Sequence, residues 1–361
     1  MTHTSGAFSL STLSNAGPGS PRAAFEAAMR ALPAELHETR IRVADRSALL
    51  RVVGDALASR LGAAFAATFA EPSEEVTTDL TIELWDRDRA GVAFPPALRE
   101  PEWTWTGVDQ QLAATDRGRV LRLEGRGAVT VLDRGARGIL GSCDRAADIP
   151  LNEAAQPLSE PLTVWLHDRG VQRVHAAAVA RDGRALLIAG PGGSGKSTTA
   201  LACALDGWGY LGDDKVGIEE GTDGDFRALA LYVSACADQP LLARHPRLVP
   251  HGTGGAASKS LIAMGRVPGV RLESAAPVRA VLIPRVIGAA ARTSVRRISP
   301  VTALRALAPT SLLLPFGAGR PGLESLAKLV ESTPCFAIDI GRDPETVADL
   351  AGEALDRAGG A

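Results

Sequence analysis

Lysine is almost missing from this 361-residue chain: Lys196, Lys215, Lys259 and Lys328 are the only four. The formal net charge is -2 at pH 7, so neither a basic footprint for nucleic acid nor a solvating acidic tail is expected. Cysteine is scarce as well. Cys143, Cys203, Cys236 and Cys335 stand far apart, with no C-x-x-C pair and no histidine at ligand spacing. That excludes a disulfide scaffold and a structural zinc site. It reads the four thiols as small hydrophobes of a reducing compartment and predicts a cytoplasmic location. Long apolar runs are lacking too. The longest candidate, Ala48 to Ala70, is broken by Arg51, Asp55 and Arg60, so no membrane-spanning helix is predicted. The first twenty residues have no basic or apolar region of a signal peptide.

What remains is the balance of a folded globular protein, 45% apolar and 22% charged, over a length that predicts two domains. Residues 1–21 read as flexible, with Gly17, Pro18, Gly19 and Pro21 in close succession. Residues 22–160 read as a smaller α+β domain. Its first periodic segment, Ser47 to Phe69, carries Leu49, Val53, Leu57, Leu61 and Phe65 at helical spacing. This predicts an amphipathic helix, capped by Asp45 or Ser47. Strands are expected at Asp79–Trp85, Val120–Glu124 and Ala128–Leu132, the last two forming an antiparallel hairpin around Gly125–Gly127. Trp85, Trp103 and Trp105 gather in this domain. Trp103 and Trp105 share a face if residues 102–106 are a strand, which would suit acceptor recognition; burial is the commoner fate of such aromatics.

Residues 161–361 change style. A short helix ends over Leu162–His167, and apolar strands Val174–Ala180 and Ala185–Ala189 flank the turn Arg181–Arg184. A helix follows from Lys196 to Asp206 and stops at Gly207. Further strands fit the residues up to Leu211, then Val216–Ile218, Ala228–Ser234, Val278–Pro284 and Cys335–Ile340, with a Gly/Ser-rich loop at Gly252–Ser260. Helices fit Pro321–Glu331 and Pro344–Ala358, the latter with Asp343 as its cap.

One motif carries chemistry. Gly190-Pro191-Gly192-Gly193-Ser194-Gly195-Lys196-Ser197 satisfies G-x-x-x-x-G-K-[ST] at every fixed position. Glycines let such a loop curl so that backbone N–H groups face phosphate oxygens, and the following helix adds its positive end. An apolar strand before the loop and a helix after it give the context the motif needs. The expected nucleotide-binding set is therefore Gly190, Gly192, Gly193, Ser194, Gly195, Lys196, Ser197 and Thr198. Lys196 would reach the β- and γ-phosphates of ATP, and the Ser197 hydroxyl would ligate Mg²⁺.

Asp213-Asp214 follows the helix, at the end of the strand reaching Leu211. In a βαβ-like arrangement that strand would lie beside the loop's own strand. One carboxylate could then take a proton from an attacking hydroxyl while the other, with Ser197, holds Mg²⁺. The same Gly212-Asp213-Asp214-Lys215 also fits a plain hairpin turn. His175 stands just before a strand expected to pair near the loop, so it reads either as a structural histidine or as a group near the acceptor. Lys259 and Arg285 are further candidates for phosphate contact, whereas Arg296 and Arg297 read as solvated charges.

Val174-His175, Ala185 to Gly190, Gly195-Lys196-Ser197 and Gly207-x-x-x-Leu211-x-Asp213-Asp214 together resemble the catalytic domain of HPr kinase/phosphorylase and its serine-kinase relatives. The resemblance spans roughly residues 170–220. It implies an α/β fold similar to the nucleotide domain of phosphoenolpyruvate carboxykinase, preceded here by the smaller α+β domain. It also implies Asp213 as the base for a serine hydroxyl, Asp214 as support for that base or the metal, and His175 near the acceptor. Related kinases assemble as homo-oligomers. The family's later loop for reverse phosphorolysis is absent, and the first 160 residues are unlike its regulatory domain. The layout looks like the HPr-kinase-related proteins of modified-peptide and lasso-peptide biosynthesis, some of which phosphorylate a precursor-peptide hydroxyl. The expected function is thus a Mg²⁺-dependent ATP kinase acting on a Ser/Thr side chain of a peptide or small protein. A kinase for free serine or a similar alcohol, and a non-catalytic ATP-binding regulator, remain the alternatives.

Overall fold

Ala48, Leu50 and Val52 are buried at every second position, which is the signature of a strand with one covered face. This overturns the expected helix over Ser47–Phe69. In the computed structural model Arg46–Val53 is a strand paired in parallel with Leu80–Asp86, from Ala48↔Leu80 to Val53↔Trp85. Gly54, at φ +115°, turns the chain, and only then does a helix run over Asp55–Phe65. The four-residue spacing of Leu49, Val53, Leu57 and Leu61 fits both states, and sheet pairing decides between them. Asp45 and Ser47 consequently cap no helix; Asp45 sits in a turn at φ +62° and pairs with Arg42 and Arg227.

The structure describes residues 19–65, 78–95, 102–105, 111–115, 120–125, 127–135, 137–253, 259–288, 291–312 and 319–359. The N-terminal segment expected to be flexible lies outside them up to residue 18, and Pro21 already opens a helix. The chain divides into two units: Met1–Arg40, Ala48–Arg60 and Thr77–Ile149 form one, and Ile41–Ser47, Leu61–Val76 and Pro150–Ala361 the other.

The N-terminal half contributes helices α1 (Pro21–Ala31), α2 (Asp55–Phe65) and α3 (Arg87–Ala90). Ser20 caps α1, its hydroxyl accepting from the Ala23 N–H at 3.1 Å, with Pro21 in the first turn. Its strands are β1 (Leu36–Val43), β2 (Arg46–Val53), β3 (Leu80–Asp86), β4 (Glu102–Trp105), β5 (Gln111–Thr115), β6 (Val120–Gly125), β7 (Ala128–Asp133) and β8 (Gly138–Cys143). They form one mixed sheet in the order β1-β2-β3-β8-β7-β6-β5-β4. The expected hairpin is there, with Gly125 opposite Ala128. Trp85 is fully buried, stacks on Phe94 at 5.2 Å and donates its indole N–H to the Val92 carbonyl at 2.8 Å, so it is a core residue. The side chains of Trp103 and Trp105 lie outside the described residues.

The second unit continues with α4 (Leu151–Ala155), α5 (Ser159–His167), β9 (Val171–Val174), β10 (Ala176–Arg181), β11 (Arg184–Ala189), α6 (Lys196–Leu205), β12 (Gly209–Gly212), β13 (Val216–Glu220), β14 (Phe226–Ala230) and β15 (Ser234–Ala237). Then come α7 (Gln239–Arg244), β16 (Gly252–Thr253), β17 (Ser260–Ala263), β18 (Arg271–Leu272), β19 (Ala275–Val286), β20 (Ser294–Arg297), α8 (Pro300–Leu312), α9 (Gly319–Ser332), β21 (Cys335–Ile340) and α10 (Val347–Gly359). The main sheet runs β18-β12-β10-β11-β19-β14-β13-β9, with β21 also on β19 and β20 on β21. Alanine is a poor strand former, yet β10 reads Ala-Ala-Ala-Val-Ala. Burial on both faces explains this. Ala176, Ala178 and Ala180 pack with Leu187 and with Ala303 and Leu307 of α8 and Leu326 and Leu329 of α9. Ala177 and Val179 pack on the other face, in the cluster that holds Ala200 and Cys203 of α6 and Ala351 and Leu355 of α10. The second unit is therefore a mixed α/β structure with helices on both faces of its main sheet.

Further expectations change. Strand β12, which leads to the Asp pair, is not beside β11; the antiparallel strand β10 lies between them, hydrogen-bonded to both. The single strand expected over Ala228–Ser234 is divided between β14 and β15, which belong to different sheets. Asp343 does not cap α10: a 3-10 turn at Pro344–Thr346 intervenes, and its carboxylate accepts from the Thr293 N–H at 2.7 Å. Helix α8, with Pro309 inside it, went unpredicted. The loop expected at Gly252–Ser260 has strand residues at both ends, and 254–258 lie outside the described residues.

Candidate nucleotide site

The loop between β11 and α6 is shaped by two glycines in particular. Gly190 has φ +151°, and a Cβ there would stand 2.8 Å from the Ser194 hydroxyl oxygen. Gly195 has φ +107°, and a Cβ there would stand 2.8 Å from Ile340 Cδ1. Both positions require glycine. The peptide then enters α6, whose first turn closes with Thr199 N–H to Gly195 carbonyl at 2.9 Å. Lys196 is buried and folds back over the loop, its Nζ donating to the Gly190 carbonyl at 2.8 Å and the Pro191 carbonyl at 3.2 Å. Burial pulls its ammonium below the usual lysine range, with Lys259 adding to that and Asp214 and Asp213 opposing it.

The expected acidic and histidine residues gather at the same edge of the sheet. β12 and β11 both run antiparallel to β10, so their C-terminal ends share an edge with the start of β10. Ligand sites of α/β sheets sit at that edge. Asp213 and Asp214 follow β12 directly, and His175 stands where the chain leaves β9, a partner of β13, for β10, a partner of β11. Ser311 of α8, itself buried, fixes this crossing by accepting the His175 N–H at 3.1 Å.

The two carboxylates differ in their surroundings. Asp213 is 4% exposed, the Ser197 hydroxyl and the Cys236 N–H act on it to favour the carboxylate, and its Oδ1 is buried without a hydrogen-bond partner among the described residues. Burial, reinforced by the charge of Asp214, pushes the Asp213 carboxyl up to about 6. Asp214 has left-handed backbone at φ +72°, unusual outside glycine, and a half-exposed side chain. Its Oδ1 lies 2.7 Å from His175 Nε2, and its Oδ2 accepts from Gln156 Nε2 at 3.1 Å. Burial opposes its ionisation, yet the His175 hydrogen bond and charge, the Gln156 amide and Lys215 hold it well below the usual carboxylate range. Lys215 donates to the Ser159 hydroxyl at 2.9 Å, and burial beside Arg173 brings its ammonium down to about 8.

Lys196, Ser197, Asp213, Asp214 and His175 thus form one constellation inside the second unit, and Lys259 is near enough to act on Lys196 electrostatically. Gly192 and Gly193 line the exposed top of the loop, and Thr198 is the third residue of α6. Arg285 is engaged elsewhere, its guanidinium bonding Asp339 at 2.6 and 2.8 Å; Arg296 approaches the same carboxylate at 3.6 Å, and Arg297 is exposed. Gln156 was missed. It sits between α4 and α5 with no local motif, and only the fold brings it to Asp214.

The donors available to a metal here, the Ser197 hydroxyl and the Asp214 carboxylate, are hard oxygens beside the Asp213 carboxylate. Among the described residues no group of three or more His, Cys, Asp or Glu side chains could hold a metal by itself. Such a set fits Mg²⁺, which keeps water and phosphate oxygens among its ligands, better than an ion needing a full protein cage. The four cysteines are free thiols, and no helix of the described residues is long and apolar enough to cross a membrane. No protein-family model and no curated protein matches the chain.

Proposed function

We propose that the chain is a Mg²⁺-dependent kinase that transfers the γ-phosphoryl group of ATP to a hydroxyl, with a Ser/Thr side chain of a peptide or small protein as acceptor. The second unit is read as a P-loop kinase domain of the HPr kinase/phosphoenolpyruvate carboxykinase-like type. The observation that carries this reading is the pairing at one sheet edge of a phosphate-loop motif with two adjacent carboxylates held in opposite ways. Asp213 keeps one oxygen unengaged; Asp214 is tied at both oxygens.

In this reading the Lys196 ammonium exchanges the Gly190 and Pro191 carbonyls for phosphate oxygens, and the loop N–H groups complete the cradle. Ser197 and Asp214 would hold Mg²⁺, which when bound neutralises charge on the β- and γ-phosphates. Asp213 takes the proton of the acceptor hydroxyl. The acceptor oxygen bonds the γ-phosphorus, the bond from that phosphorus to the β–γ bridging oxygen breaks, and ADP leaves. Two carboxylates whose environments separate their proton affinities suit this division, one as base and one as permanent anion. His175 and Gln156 orient Asp214. A cytoplasmic setting belongs to the reading, since free thiols persist there.

The test is mass spectrometry of Ser/Thr peptide pools and of free serine after incubation with ATP and Mg²⁺. A phosphoryl gain on peptides supports the proposal, and a gain on free serine alone moves it to a small-molecule kinase. ATP bound with no acceptor modified and no ADP formed contradicts it in favour of a nucleotide-sensing regulator.

A further inference from the structure

Asp213, Asp214 and His175 all lie on the β12/β10 side of the loop strand, so the terminal phosphate of a donor faces that side. The strand order β12-β10-β11-β19 then puts β19, with β21 beyond it, on the side where the rest of the nucleotide must emerge. Both strands overshoot the point at which the loop leaves the sheet. Pro284 lies beside Gly190, a Cβ on that glycine falling 3.9 Å from the Pro284 carbonyl oxygen, yet β19 continues to Val286 and β21 to its partner Ile340. Their side chains flank the loop's last glycine. A Cβ on Gly195 would be 3.7 Å from Val286 Cγ2 and 2.8 Å from Ile340 Cδ1. Ile340 is 4% exposed and thereby spent on packing, but Val286 is 63% exposed.

Single exposed apolar residues need no explanation. Val286 is different because it borders the phosphate-loop motif on the side away from the carboxylates, and Ile287, 42% exposed, follows it. We infer that Val286 is the floor of a nucleoside subsite, covered by the base of the donor when the triphosphate lies in the Gly190–Ser197 loop. The inference rests on the reading of that loop as a triphosphate site and adds to it the means of telling a nucleotide from inorganic polyphosphate. The apolar contact takes the flat face of a base, as most nucleotide sites do with a small number of polar groups elsewhere.

Calorimetric titration of the full chain with ATP and, separately, with inorganic tripolyphosphate tests it without turnover. Val286→Ser, neutral and at an exposed position, is expected to weaken ATP about tenfold, in line with the loss of some 1.4 kcal/mol of apolar contact. Tripolyphosphate affinity should stay within about twofold. The same change at Val301, 60% exposed on α8 near the opposite end of β21, should alter neither ligand. ATP affinity unaffected by Val286→Ser, or lost in step with tripolyphosphate, overturns the subsite. A wild-type chain that binds neither ligand overturns the loop reading itself and the subsite with it. Photolabelling with 2-azido-ATP gives an independent reading: label on the tryptic peptide beginning at Val286 supports the subsite, and label confined to the peptide carrying Asp213 and Asp214 contradicts it.

Discussion

His175 Nε2 and Asp214 Oδ1 lie 2.7 Å apart, although 38 residues of chain, a glycine-rich loop and a helix separate them. The contact joins the start of β10 to the end of β12 and so ties together the two strands on the carboxylate side of the loop. Gln156 closes the other oxygen of the same carboxylate. Replacing Gln156 with Ala should therefore release Asp214 while leaving the core intact. The expected outcome is about a tenfold fall in kcat, the scale of a hydrogen bond to a charged group, with the thermal midpoint almost unmoved. Steady-state kinetics beside a melting curve checks it, and a large loss of stability would give Gln156 a merely structural role.

Lys196→Met should reduce phosphoryl transfer by about a hundredfold or more, since it removes the ammonium that folds over the loop. Folding should survive, because the buried ammonium is replaced by an apolar side chain of similar length. Circular dichroism and single-turnover transfer separate these two effects.

Asp213 fixes the sign of two pH effects. Its carboxyl is raised to about 6, and only the carboxylate accepts a proton. The rate should fall below pH about 6 and level off above it, and a kcat/KM profile reads this directly. Stability moves the other way: a carboxyl raised in the folded state contributes stability below its unfolded value, 3.8, and loses it as pH rises through about 6. The cost at neutral pH is about 3 kcal/mol. Asp213→Asn, inactive as a base, should accordingly be more stable than wild type at pH 7.5 and no more stable near pH 4. Urea titrations at the two pH values test the crossing.

Gly195→Ala and Gly192→Ala should part company. The first puts a Cβ against Ile340 at a backbone angle of +107° and should destabilise by about 1 to 3 kcal/mol while abolishing ATP binding. Gly192 has open space around its Cβ position and no left-handed φ, so alanine there should bind ATP nearly as wild type does. Equal effects would deny that the loop's shape carries the function.

The parts of this site that were legible in the sequence are those whose chemistry demands a local pattern. Gly190 to Ser197 needs fixed spacing, and the strand and helix around it follow from apolar runs with clear stops. Asp213 and His175 were legible only as candidates, because their value depends on which strands become neighbours. The interposition of β10 between β11 and β12 is a long-range pairing with no local signature. Gln156 and Ser311 have none either; each acts across the fold on a residue distant in sequence. The splitting of the first predicted helix shows the same limit, since apolar residues four apart satisfy a helix and a strand-plus-helix alike, and only β3 beside β2 selects between them.

The most direct measurement is single-turnover transfer of label from γ-labelled ATP to a Ser/Thr peptide, comparing the wild-type chain with Asp213→Asn at saturating Mg²⁺. The account predicts transfer by wild type and a fall of at least a hundredfold in the variant, with ATP still bound. Equal transfer by the two proteins would contradict it.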